Sequence, residues 1–327
     1  MTAAYLYRLL CLCLAALFLL HLALTSVLAL LAPSVIRIAG KMRPGRAAAL
    51  LLWARLAPLS ISVLIVGVMI APSYLWLEPR GAVEPEPMAW MWLGAAALGL
   101  AFLCSSFSRA IRAIARSRRF VERCRLSARQ AYLPGESRPV LVMQDGAPLV
   151  MLAGVLRSRL IVSAKVVDAL PPDQLATVLQ HEQAHRSSHD NLKRLLVLLA
   201  AGMLPLFRSL RRLEQSWHQV TEWAADDYAA AGDAGCSVTL ASALVNVARL
   251  GNIQAGPVLV TSLMANGEDL SLRVDRLLRF VPPAQPSRLS RLLAGGAAMV
   301  LASGIMLVLA HPATLRAAHE MIEKLIQ

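Results

Sequence analysis

Four stretches of the chain are apolar for long enough to leave no polar face, and they organise everything else. They run over about 9–31 (LLCLCLAALFLLHLALTSVLALL), 47–77, 88–107 and 289–310 (LSRLLAGGAAMVLASGIMLVLA). About 20 apolar residues in a helix cross a ~30 Å hydrocarbon core, so the pattern predicts four membrane-spanning helices. A signal peptide is the alternative for the first, but its apolar run exceeds the usual ~7–15-residue core of such a segment. Arg55 interrupts the second run, either facing other helices or snorkelling toward the span's end. Between the third and fourth runs, the mixed polarity of 109–288 marks a folded domain. There, 109–129 reads as a basic helix leaving the membrane, and 140–143, 149–152 and 158–164 as short strands. Pro171, Pro172 and Asp173 open a further helix, since proline fits the first turn and an acid suits its positive end. More helices follow to about 279, and VPPAQPS (281–287) is a linker. The stretch 195–207 (LLVLLAAGMLPLF) is apolar but too short to span, which predicts a buried helix or one dipping into the membrane surface.

Composition agrees with the spans: 57% of the 327 residues are hydrophobic and only 16% charged. The net charge of +13 would suit nucleic acid, but it is mostly arginine beside apolar runs, without interleaved aromatics. That is positive-inside anchoring, so the partner is the lipid bilayer and no direct nucleic-acid contact is expected. Arg37, Lys41, Arg43 and Arg46 follow span one, and SRAIRAIARSRRFVERCRLSAR follows span three. Glu78, Glu84 and Glu86 lie between spans two and three, with one basic residue, Arg80, among them. The rule therefore puts 109–288 in the cytoplasm and both termini outside. The five cysteines form no CxxC pair, and are read as small apolar fillers.

The chemistry sits in LATVLQHEQAHRSSHDN (175–191). On a helix, His181 and His185 share one face a turn apart and can present two imidazoles to one zinc ion. Glu182, rotated ~100° from His181, is placed to take the proton of a zinc-activated water without being a ligand. His189 would lie ~12 Å along the axis from His181 if the helix continued, too far to share the ion. The third ligand is therefore sought downstream, in QVTEWAADDYAAAGDAG (219–235). Glu222 and Asp226 are at i and i+4 there; Glu222 can complete the coordination. Asp226, or Asp227 in the alternative register, can accept the second N–H of a ligand histidine. His218, Tyr228 and Arg273 are undistinguished candidates for oxyanion stabilisation.

With these residues in place, the chain resembles the BlaR/MecR-type antirepressor metallopeptidases. The resemblance rests on PLVMLAGVLRSRLIVSAKVVDALPPDQLATVLQHEQAHRSSHDNL, followed by EWAADDYAA, and most specifically on residues 148–230. It covers the HExxH, an aspartate five residues later (Asp190), the Glu-x-x-x-Asp helix, and three spans before the domain with one after. The HtpX and CAAX prenyl-protease group shares both motif halves. The resemblance implies an α-helical integral membrane protein with about four transmembrane helices. It also implies a cytoplasmic, mainly α (α+β) metallopeptidase domain of gluzincin type. The expected organisation is three spans in 1–108, the zinc peptidase in 109–288, a fourth span in 289–310 and a short extracytoplasmic tail in 311–327. By the same resemblance, Glu182 is catalytic, His181, His185 and Glu222 bind Zn2+, and Asp226 and Asp190 hold the ligand imidazoles.

The well-known BlaR/MecR members carry a penicillin-binding sensor after the last span. Here 17 residues follow the fourth predicted span, and no Ser-x-x-Lys occurs in the sequence, so direct β-lactam sensing is not expected. Three readings stand. One is a zinc endopeptidase of the bacterial cytoplasmic membrane, cleaving a protein substrate such as a winged-helix transcriptional repressor. The substrate would add as a strand along PLVMLAG or RLIVSA. The second is membrane-protein quality control in the HtpX manner. The third is a non-catalytic zinc-binding receptor or scaffold. A second copy of the chain, associating through the spans, is a further candidate partner.

Overall fold

The computed structural model describes residues 3–78, 89–134, 136, 138–144, 149–200, 208–251, 260–262, 267–279, 303–304 and 306–326. Three long apolar helical segments dominate its first third: α1 (Ala3–Ala39), the continuous Pro44–Leu77 segment, and α4 (Trp90–Ser127). Each is long and apolar enough to cross a membrane. The second divides into α2 (Pro44–Ile65), a π-helical turn (Val66–Ile70) and α3 (Ala71–Leu77). Pro72 explains the division. It has no N–H for the Val68 carbonyl, its ring crowds that turn, and the Ala71 N–H reaches back to Val66 O instead.

These segments expose apolar side chains such as Leu30 (81%) and Trp90 (80%), as helices solvated by lipid do. Against each other they pack closely. A Cβ at Gly99 on α4 would lie 2.3 Å from the Leu14 carbonyl oxygen on α1, so glycine is required at that crossing. At 1.5 Å per residue, α1 (37 residues) and α4 (38 residues) are each about 55 Å long, well beyond a ~30 Å core. The surplus of α4 is the predicted basic helix, continuous with the third apolar segment. It ends two residues earlier than expected, because Ala128–Ala131 is a strand rather than helix.

The domain's five-stranded sheet is built from β1 (Ala128–Ala131), β2 (Val140–Met143), β3 (Val150–Ala153), β4 (Arg159–Ser163) and β5 (Val260–Ser262). Its order is β1-β2-β4-β3-β5, with β2 and β4 parallel and the other pairs antiparallel. Alternation within the apolar strands is between two buried faces. Val150, Leu152, Leu160 and Val162 pack with Val178 and Leu179 of α6 (Pro172–Ser187) and Leu240 and Leu244 of α9 (Ala234–Arg249). Leu141, Met151 and Ile161 face Phe120, Val121 and Cys124 of α4. A sheet covered on both sides reads as continuous hydrophobic runs, which is why the three central strands are visible in the sequence. The two expected templates for substrate addition are corrected here. β4 is paired on both sides, and β3 lies between β4 and β5.

The remaining helices are α5 (Ala164–Ala169), α7 (Asp190–Ala200), α8 (Arg208–Ala230), α10 (Gly267–Leu278) and a C-terminal helix, Pro312–Ile326. α8 joins the domain to the long apolar helices: Leu213, Trp217 and Val220 pack with Leu28, Ala32, Ala47 and Leu51 of α1 and α2. Arg55 belongs to this junction. It is buried, with Nε 2.6 Å from Glu214 Oε1 on α8, and it donates to the Ala200 carbonyl at the end of α7 (3.1 Å). It therefore faces other helices and does not snorkel. At the other end of the α2–α3 segment, the C-terminal helix packs against α3, with His319 Nε2 3.7 Å from Glu78 Oε2. The loop 79–88, the end of the apolar stretch (201–207), the linker 281–287 and most of the fourth predicted span (289–302, 305) lie outside the described residues. Residues 195–200 of that stretch belong to α7.

Candidate metal centre

α6 starts with Pro172 in its first turn and Asp173 beside the helix's positive end, and it carries His181, Glu182 and His185 into the interior, all fully buried. At Ser187 the helix stops. His189 adopts a left-handed conformation (φ 55°) and turns the chain, so that α7 begins at Asp190. This break, absent from a continuous helix, swings Asp190 back onto His185: Nδ1 to Oδ2 is 2.7 Å. His189 itself points its Nδ1 at the Ser187 carbonyl (3.1 Å) and stays outside the cluster.

α8 approaches from the other side. Glu222 Oε2 lies 3.4 Å from His181 Nε2, and Glu222 Oε1 lies 3.6 Å from His185 Nε2. The two Nε2 atoms are 3.2 Å apart. One ligand atom from each of His181, His185 and Glu222 can be chosen so that all lie within 4.8 Å of one another. One turn along α8, Asp226 Oδ1 is 3.0 Å from His181 Nδ1. Asp227 is turned away onto Arg276 (2.6 Å), so the register is that of Asp226.

Both Nδ1 atoms thus face carboxylates, which keeps their protons there and leaves Nε2 as the nitrogen that can bind a cation once its own proton is lost. Two imidazole nitrogens and a carboxylate then converge within reach of one ion. That is a cation site by its chemistry. Its spacing suits zinc, because tetrahedral ligands at ~2.0–2.1 Å stand roughly 3.3 Å from one another.

The charges around the cluster are strongly displaced. Burial alone would lower the His185 imidazole, but Glu222 and Asp190 outweigh it and hold it up at about 10. Burial would raise Glu222, yet His185, His181 and Arg273 pull it well below the usual carboxylate range. Asp226 is held at about 2 because Arg273 and His181 overcome its burial. Glu182 goes the other way. Burial raises it and nothing nearby offsets this fully, and neither of its oxygens has a hydrogen-bond partner among the described residues.

Arg273, from α10, clasps Asp226 with two bonds of 2.6 and 2.9 Å and reaches to 3.4 Å of Glu222. It is buried and engaged with the carboxylates that hold the site. Among the three oxyanion candidates, Tyr228 is exposed but lies six residues past Glu222, turned about 240° around α8. His218 is exposed one turn before Glu222, on the same face, with its ring 4.8 Å from that of Trp217.

Sequence reasoning missed three supports. Lys193 is bonded to Asp190 Oδ1 at 2.7 Å, a contact foreshadowed by their i, i+3 spacing. Asn191 donates to the carbonyls of Leu152 and Gly154 (3.0 and 2.9 Å), tying α7 to the end of β3; no local pattern announces it. Arg194 comes within 4.0 Å of Glu222. A cleft of about 140 Å³ opens between α7 and the β3–β4 turn, lined by Leu152, Val155, His185 and Asp190 among others.

The family model for peptidase family M48 matches residues 116–316, more than half of the chain and the whole of this site. The match sets the family and does not separate the BlaR/MecR type from the HtpX type. No curated protein matches the chain.

Proposed function

The chain belongs to peptidase family M48, and from that premise we propose that it is a membrane-anchored, zinc-dependent endopeptidase. The observation that carries this is the convergence of His181, His185 and Glu222 beside a buried, unpartnered Glu182. In this reading the three hold zinc. A zinc ion there supplies Lewis acidity, polarising the scissile carbonyl and making water more acidic. Glu182 takes the proton from the attacking water and delivers it to the leaving amine. Its raised pKa suits a group that must both accept and release a proton. Asp226 and Asp190 fix the tautomers of His181 and His185, and Arg273 holds Asp226 in place. His218 is the group we assign to the developing oxyanion, on its exposure and its position one turn from Glu222.

The test is metal content and peptidase activity measured together. Glu182→Gln should retain about one zinc per chain and lose hydrolysis, because it removes a base and not a ligand. Near wild-type cleavage by that variant would refute the mechanism. Glu222→Ala should lose the metal; wild-type occupancy would move the third ligand elsewhere. A zinc-binding scaffold is distinguished by the same Glu182→Gln variant, whose phenotype would then be unchanged.

The basic flanks of the apolar helices support a peptidase domain on the cytoplasmic side of a bacterial inner membrane, with the C-terminus outside. Reporter fusions at Ala284 and Gln327 check this, and a cytoplasmic signal at Gln327 would remove the fourth span. The BlaR/MecR resemblance supports a cytoplasmic transcriptional repressor as substrate; the shared HtpX features support membrane-protein quality control. Cleavage of a winged-helix repressor encoded beside this gene separates them.

A further inference from the structure

Below the third apolar segment, a cavity of about 810 Å³ opens between α4, the β3–β4 turn and α7. Val155, Leu192 and Leu195 give it an apolar wall. Its rim is basic: Arg118 and Arg119 come from α4, Arg157 and Arg159 from the turn, against one carboxylate, Glu122. None of the four arginine side chains forms an ion pair or hydrogen bond among the described residues, and all four are exposed. Ser117 also lines the cavity. It is 2% exposed, and its hydroxyl has no hydrogen-bond partner among the described residues. A buried, unanswered hydroxyl beside unpaired guanidinium groups is a set of donors waiting for an anion.

The position says which anion. Twenty residues of α4 from Trp90 span about 30 Å and reach Arg109, so Arg118 stands about 14 Å further along the axis. Helical side chains lean toward the helix N-terminus, which here is toward the bilayer, so an arginine at this position extends toward the headgroup side rather than away from it. Leu156, at the tip of the turn between β3 and β4, is 76% exposed and is followed by Arg157 and Arg159. An exposed leucine flanked by arginines suits a lipid surface better than an acidic peptide. Gly154, at φ 105°, shapes this turn, and a Cβ there would meet the Arg157 carbonyl oxygen at 2.9 Å. Asn191 fastens it to α7, one residue from Asp190.

We propose that this cavity binds an anionic phospholipid, its phosphate on the arginine rim and Ser117, its glycerol and upper acyl carbons on the apolar wall. The proposal rests on reading α4 as a membrane span. The lipid would contact the same turn that lines the cleft beside His185 and Asp190.

The full chain, purified in a zwitterionic detergent, is exchanged against phosphatidylcholine vesicles with and without phosphatidylglycerol, and bound lipid is counted by native mass spectrometry. Wild type should retain phosphatidylglycerol over phosphatidylcholine. The triple variant Arg118→Gln/Arg157→Gln/Arg159→Gln should lose that preference by about tenfold or more. Arg112→Gln/Arg116→Gln/Arg125→Gln removes as much charge from α4 outside the cavity and should change retention by less than about twofold. Equal loss in both triple variants would reduce the effect to general surface charge and overturn the site. So would undiminished retention in the cavity variant. Undiminished retention with a raised KM for acidic peptides would assign the cavity to substrate. Displacement of the lipid by inorganic phosphate alone would make it a free-anion site. Recovery of the wild-type chain in the soluble fraction without detergent would refute the span itself, an outcome distinct from all of these.

Discussion

His181 and His185 stand one turn apart on the same helix, yet the two flanks of the site hold them in different ways. Behind His181 stands Asp226, and behind Asp226 the two-point clasp of Arg273, so that α6, α8 and α10 meet in one buried chain of contacts. Behind His185 stands Asp190, five residues on, and behind Asp190 the ammonium of Lys193, a third exposed. Both flanks follow one plan, imidazole to carboxylate to cation. The first is assembled by tertiary packing, while the second is made by a local turn at His189. The His181 flank is therefore a fold-stabilising element as well as a chemical one, and the His185 flank is chiefly chemical.

The largest effect should come from Arg273→Leu. It strips the cation from Asp226, which is wholly buried, and weakens the support of Glu222. Breaking a buried pair by removing one partner costs about 3–5 kcal/mol, because a charge is left without its counterion. Unfolding of the variant in detergent, followed by denaturant or heat, should show a loss of that order together with lost zinc. Stability equal to wild type would mean that α10 is not part of the site's foundation, and the two flanks would no longer differ.

Asp190→Asn tests the other side and should act mainly on the metal. The asparagine can turn its carbonyl oxygen to His185 Nδ1, but the carboxylate charge that makes the imidazole a better donor is gone. Zinc affinity should fall about 10–100-fold, measured by competition with a chelator, with less loss of folding stability than in Arg273→Leu. An equal loss of stability would show that the α6–α7 turn is as deeply structural as the α8–α10 contact.

The same contrast explains what could be read from the sequence. His181, Glu182, His185, Glu222 and Asp226 sit at i, i+1 and i+4 spacings on helices, and a helix converts such spacing directly into a shared face. The central strands were legible because both faces of the sheet are buried and the runs are wholly apolar. β1 and β5 were not: ARQA and VTS carry no hydrophobic pattern, and they are strands because their neighbours offer unpaired backbone groups. Arg273 stands in the sequence only as one of three undistinguished oxyanion candidates, since nothing local says that a residue 47 positions away will meet Asp226. Arg55 stood out as a charge in an apolar run, but its partner, Glu214, is 159 residues distant. Local geometry is written in local sequence; the pairing of distant charges is decided by packing.

The smallest effect is expected of Lys193→Ala, and it is the finest test of the difference between the flanks. Lys193 and Arg273 occupy corresponding places, each bonded to a carboxylate that faces a ligand imidazole. What separates them is water. A partly exposed ammonium is hydrated before and after the pair forms, its long side chain loses entropy on being held, and its Coulomb attraction is screened, so such pairs contribute ~0–1 kcal/mol. Asp190 keeps its bond to His185 when the lysine is gone. Zinc affinity should therefore fall by no more than about fivefold, the equivalent of ~1 kcal/mol. That small loss should shrink further as salt shortens the Debye length below ~8 Å. Chelator competition at two ionic strengths gives both numbers. A loss as large as that of Asp190→Asn, and insensitive to salt, would show that Lys193 is shielded and acts as Arg273 does, making the two flanks equivalent.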